Sequence, residues 1–130
     1  MMEIQSTEQY ILNEIKRQKT LYFPLIDSEN SFKTIELAKK LEQLGASAIL
    51  VGGSSTSDQI ELSSFVTELK KNVTIPVILF PGNVTGISPA ADAILFSSLL
   101  NSENPYYITG AQAQGALVVN KYHIEAIPTG

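Results

Sequence analysis

Ala46-Ser47-Ala48-Ile49-Leu50-Val51-Gly52-Gly53-Ser54-Ser55 is a compact apolar run that breaks off into two glycines and two serines. The run does not alternate apolar with polar residues, as a half-exposed strand would. Near-continuous apolar character marks a parallel strand covered on both faces. Its glycine-rich polar end marks the loop that leaves such a strand. Towards the N-terminus, residues 31–44 place Ile35, Leu37, Ala38, Leu41 and Leu44 at helical spacing, and Gly45 supplies the stop. Before that helix, residues 21–26 form another apolar run, read as the first strand. Towards the C-terminus, Asp58 with Glu61 opens a helix whose inner face is Leu62, Phe65, Val66 and Leu69, and Asn72 closes it.

The remaining segments repeat the pattern. Ser6, with Gln9 three residues on, is a capping box for a short opening helix carrying Tyr10, Ile11 and Ile15. Residues 75–80 form a third strand ending in Pro81-Gly82-Asn83. Residues 87–91 are expected to make one helical turn before a fourth strand over residues 92–97. Asn104-Pro105 supplies an N-cap and a first-turn proline for a long helix with Ala111, Gly115, Val118 and Tyr122 on its inner face. Residues 124–127 begin a fifth strand.

Strand, helix, strand in repetition predicts an α/β protein built from right-handed βαβ units. Two architectures satisfy this, an open doubly wound sheet and part of a TIM (β/α)8 barrel. A closed barrel needs about 250 residues. A partial barrel of about four βα units plus the start of strand five would make residues 1–130 the N-terminal half of a single TIM-barrel domain. Such a half would leave two parallel edges and an open apolar face.

Composition narrows the function. The chain has 130 residues, nine Lys+Arg against thirteen Asp+Glu, a net charge of −4 and no cysteine. There is no basic excess to neutralise phosphates, so no nucleic-acid partner is expected. Absent cysteine removes disulfides, thiolate metal sites and a Cys nucleophile. No run approaches the roughly 18 apolar residues of a membrane span, and the polar start lacks the regions of a signal peptide. A cytoplasmic protein is the expectation.

In parallel α/β folds, ligands bind at the carboxyl ends of the strands. Asp27 follows the first strand directly. It reads as a carboxylate ligand for Mg2+, or as an N-cap or Asx turn of a βα loop. Gly53 and Ser54 follow the second strand and offer close backbone approach and a hydroxyl, suited to a phosphate or a second metal ligand. The alternative is a flexible turn, since the segment matches no established phosphate-loop pattern. Asn83 and Asn101 could hydrogen-bond a ligand or fix loop backbone. Gln112 either packs over a strand end or faces solvent. His123 is the sole histidine, expected on the opposite rim, so triad and zinc chemistry gain little support. Lys16, Arg17 and Lys19 read as a solvated helix end.

Taken together, Leu25-Ile26-Asp27, Ile49-Leu50-Val51-Gly52-Gly53-Ser54, Pro76-Val77-Ile78-Leu79-Phe80-Pro81-Gly82-Asn83 and Ile87-Ser88-Pro89-Ala90-Ala91-Asp92 occur in that order. Leu99-Leu100-Asn101-Ser102, Asn104-Pro105-Tyr106-Tyr107, Gly110-Ala111-Gln112-Ala113 and Glu125-Ala126-Ile127-Pro128-Thr129 follow. The ordered set resembles the archaeal geranylgeranylglyceryl phosphate synthase family of TIM-barrel prenyltransferases. The resemblance implies transfer of a geranylgeranyl group from geranylgeranyl diphosphate to the 3-hydroxyl of sn-glycerol 1-phosphate, an early step of archaeal ether-lipid biosynthesis. It implies Mg2+ held by Asp27 and Ser54, substrate contacts at Gly53, Asn83, Asn101 and Gln112, and a homo-oligomeric full-length enzyme.

Two departures stand out. The family often has a proline after the strand-one aspartate and a lysine three residues on, where this chain has Ser28 and Asn30. Losing that cation weakens any phosphate contact made from this loop. The family's glycerol-phosphate grip, a tyrosine and its catalytic carboxylate lie beyond residue 130, so this chain alone is expected to be inactive. The alternatives are a non-catalytic half-barrel that binds diphosphate or self-associates, and another phosphate-handling TIM-barrel enzyme.

Overall fold

The computed structural model describes residues 6–28, 31–52, 59–81, 87–97, 120 and 124–129. In chain order these form α1 (Thr7–Gln18), β1 (Leu25–Asp27), α2 (Ser31–Gln43), β2 (Ile49–Gly52), α3 (Gln59–Asn72), β3 (Val77–Leu79), β4 (Ala93–Ser97) and β5 (Glu125–Thr129). The five strands make one sheet in the order β1-β2-β3-β4-β5, every neighbouring pair parallel.

That order decides between the two architectures. A doubly wound sheet reverses its strand order once, which sends helices to both faces. Here the order never reverses. With right-handed crossovers, a sequential order puts all helices on one face. Accordingly α2 (Ile35, Ala38) and α3 (Leu62, Phe65, Val66, Leu69) share one buried cluster with Ile26, Ile49, Val51, Val77, Leu79 and Ile94 of the sheet. The alternate residues Ala48, Ile78, Ala93 and Ile127 form a second, smaller cluster on the other face, joined by Ile11, Phe23, Leu50 and Leu95. The architecture is a partial (β/α)8 barrel, with α2 and α3 outside and the second cluster within.

Local chemistry explains the element ends. Ser6 caps α1, its Oγ accepting from the Gln9 amide at 3.1 Å. The Gln9 side chain in turn donates through Nε2 to Asn13 Oδ1 one turn on, at 3.0 Å. Gly45 ends α2 at φ +102, where the Ala46 amide reaches the Leu41 carbonyl and the Gly45 amide that of Glu42. This double bond pattern needs a left-handed residue, which glycine adopts without strain. The helical turn expected over residues 87–91 is not formed. Ser88 is fully buried there, hydrogen-bonded to Ser63 Oγ at 2.7 Å and accepting from the Ala90 amide. A side-chain turn thus takes the bonds a helix would have used. Pro128 sits in β5, which among the described strands pairs with β4, and proline is tolerated where its ring side makes no ladder bond.

Glu42, near the end of α2, ties the chain entering β3 to that helix. Its Oε1 accepts from the Thr74 hydroxyl, the Thr74 amide at 2.8 Å and the Ile75 amide at 3.1 Å. Partial burial opposes its ionisation, but these donors outweigh it and hold the carboxyl below its ordinary value. A depressed folded-state pKa stabilises the fold above the ordinary glutamate value, about 4.3, and that stability is lost as pH falls through the folded value. The Tm difference between wild type and Glu42→Gln is therefore expected to be largest at neutral pH and to close at more acidic pH. A difference independent of pH would count against this account.

Candidate functional site

The carboxyl ends of the strands converge on one rim. Asp27 ends β1 and lies in register with Gly52, the last residue of β2. Val51 pairs with Leu79, so Phe80 and Pro81 leave β3 at the same level. Ser97 and Thr129 end β4 and β5 as register partners. Five strand ends thus face one loop layer, where parallel folds place their chemistry.

Asp27 is exposed at the end of a strand whose middle residue, Ile26, is buried against the helices. Strand alternation therefore puts Asp27 on the inner face with Leu25. Leu25 reaches across to β2, since a Cβ built on Gly52 would stand 3.0 Å from Leu25 Cδ1 and 3.4 Å from the Phe80 carbonyl oxygen. Glycine at position 52 is what leaves room for that approach. The rim is apolar just beneath the carboxylate, with Leu25 57% and Phe80 42% exposed. A carboxylate beside accessible hydrocarbon suits a cation, or a ligand whose polar head arrives bound to one, with an apolar tail.

Of the residues singled out from sequence, Asp27 stands at the rim as expected. Gly53, Ser54, Asn83, Asn101, Gln112 and His123 lie outside the described residues, as does the helix expected from Asn104. Among the described residues, no group of three or more His, Asp, Glu or Cys side chains could enclose a metal ion. A single carboxylate fits an ion that completes its shell with water and substrate oxygens, as Mg2+ does, better than a caged ion.

Sequence reasoning missed the carboxylates of the opposite rim. Asp92, just before β4, accepts from the Val77 amide and from Lys70 Nζ, both at 2.8 Å. Glu125, the first residue of β5, receives the Thr7 and Glu8 amides at 2.9 and 2.8 Å. Glu42 makes the third such clamp. Among the described residues, carboxylate clamps on backbone amides thus gather at the amino ends of the sheet.

Comparison with known proteins agrees with this arrangement. The chain is 60% identical over 126 residues to geranylgeranylglyceryl phosphate synthase of Cenarchaeum symbiosum, covering 95% of this chain and 51% of that protein. It is 58% identical over 124 residues to the synthase of Nitrosopumilus maritimus, covering 94% and 50%. The chain spans about half the length of these curated relatives. The crystal structure of (S)-3-O-geranylgeranylglyceryl phosphate synthase from Thermoplasma acidophilum, in complex with substrate sn-glycerol-1-phosphate, superposes with a TM-score of 0.87 at 32% identity. That match covers 96% of this chain and 51% of the other. The PcrB family model matches residues 13–130, which hold all five described strands and the helices α2 and α3, and the chain accordingly belongs to the PcrB family.

Proposed function

We propose that this chain carries the diphosphate-binding half of a cytoplasmic prenyltransferase, residues 1–130 being the N-terminal half of one TIM-barrel domain. The reaction moves a geranylgeranyl group from geranylgeranyl diphosphate to the 3-hydroxyl of sn-glycerol 1-phosphate, forming an archaeal ether lipid precursor. The allylic carbon–oxygen bond to diphosphate breaks as the ether bond forms, and the hydroxyl proton must pass to a base. The observation that carries this reading is the position of Asp27, at the carboxyl end of β1 and in register with Gly52. Gly53 and Ser54 are the next two residues along the same chain. Asp27 and Ser54 would hold Mg2+, which when bound offsets the charge that grows on the departing diphosphate. Gly53, Asn83, Asn101 and Gln112 are the proposed substrate contacts. Leu25 and Phe80 offer the start of an apolar path for the prenyl tail.

The test is calorimetric titration of the chain with geranylgeranyl diphosphate, with and without Mg2+, alongside a radiolabelled transfer assay and a size-exclusion mass. Binding that requires Mg2+, with no turnover on sn-glycerol 1-phosphate, is the expected result. One substrate alone cannot be held for in-line reaction without the acceptor's site. Turnover by the chain alone would overturn the assignment of the acceptor grip to residues beyond 130. A self-associated chain with no affinity for the diphosphate would instead favour the non-catalytic half-barrel.

A further inference from the structure

We infer that α1 is a detachable plug over the amino-terminal mouth of the sheet, latched shut by the Glu125 carboxylate and hinged at Lys19. Glu125 takes one α1 amide on each carboxylate oxygen, Thr7 at 2.9 Å and Glu8 at 2.8 Å. With Ser6 Oγ taking the Gln9 amide, the first turn of α1 is fully served, and two of its three bonds come from 117 and 118 residues away. A carboxylate at a helix N-terminus also meets the positive end of the helix dipole, and such charge-assisted bonds are the strong ones.

Among the described residues, little else holds the helix down. No residue of α1 is buried, and Leu12 and Ile15 are 46% and 43% exposed. Ile11 alone packs, in part, against the inner cluster of Ala48, Ile78, Ala93 and Ile127. The Tyr10 hydroxyl donates to the Ser47 carbonyl at 2.9 Å, just before β2. Burial, and then Glu14, raise the Tyr10 pKa, so the phenol keeps the proton it donates. Because Glu125 begins β5 and Ser47 precedes β2, α1 bridges the amino ends of the sheet. The helix ends at Lys19, a non-glycine residue at φ 70, a conformation held only under constraint from its surroundings. A weakly packed helix, a polar latch and a strained hinge together describe an element that opens on its own.

Native-state hydrogen exchange on the whole chain tests this. In wild type, α1 amides are expected to exchange at least tenfold faster than those of β2 and β3, with a weaker dependence on denaturant. In Glu125→Gln, which keeps the shape but removes one acceptor and the charge, α1 protection is expected to fall at least a further tenfold while β2 and β3 hold theirs. Tyr10→Phe should loosen α1 in the same selective way. The inference fails if α1 and the strands lose protection together in wild type, a measurement that stands even where Glu125→Gln does not fold. It also fails if Glu125→Gln leaves α1 protection within twofold of wild type.

Discussion

On the proposed function, Asp27→Asn is expected to weaken Mg2+-dependent binding of geranylgeranyl diphosphate on the order of 100-fold, the scale on which removing one charge-stabilising group acts. Asparagine keeps the size of the side chain and one acceptor oxygen but removes the negative charge. A divalent ion between a protein carboxylate and a diphosphate depends on that charge, because the neutral amide is a poor ligand for a hard cation. Asp27 is exposed, and its neighbour Ile26 supplies the buried contact of β1. The substitution should therefore change stability by less than about 1 kcal/mol. Isothermal titration of both proteins in Mg2+, with thermal melts as the control, separates the two effects. Equal affinities would remove Asp27 from the site. A matched loss of affinity and melting temperature would make it a structural residue instead.

Leu69→Ala is expected to cost about 3 kcal/mol, within the range for a leucine deleted from a rigid core. Leu69 is fully buried on α3, in the cluster that joins both outer helices to the sheet. Its neighbours in that cluster, Val66, Val77 and Leu79, are themselves fully buried on a helix and a strand that cannot close a gap cheaply. Leu12→Ala, on the half-exposed face of α1, should cost less than about 1 kcal/mol. Chemical denaturation of both variants measures the contrast. Equal losses would mean that the outer cluster does not carry the fold.

Much of this was legible in the chain, and what was not has a common cause. Leu62, Phe65, Val66 and Leu69 follow helical spacing, and all four are buried. Gly45 stops α2 because a left-handed residue is a local requirement. The strands fell on the apolar runs but with shifted ends, β1 being Leu25–Asp27 where residues 21–26 were expected and β2 Ile49–Gly52 where residues 46–51 were. Residues 87–91 were misread because a buried serine hydroxyl can replace a backbone bond, and Ser88 finds its partner, Ser63, 25 residues away.

Asp27 could be placed at a strand end from local pattern alone. Its pairing opposite Gly52 could not, because register depends on how two distant strands meet. The choice between barrel and doubly wound sheet also waited for the strand order, which periodicity does not encode. Glu42 and Glu125 carry no local signal of a role, because the partners that define it, Thr74 and Thr7, lie 32 and 118 residues away. Local spacing and turn chemistry wrote the elements and the candidate carboxylate into the sequence. The long-range assembly of the sheet chose which carboxylates clamp backbone at its amino ends, since only a folded chain puts donors that far apart within hydrogen-bond reach.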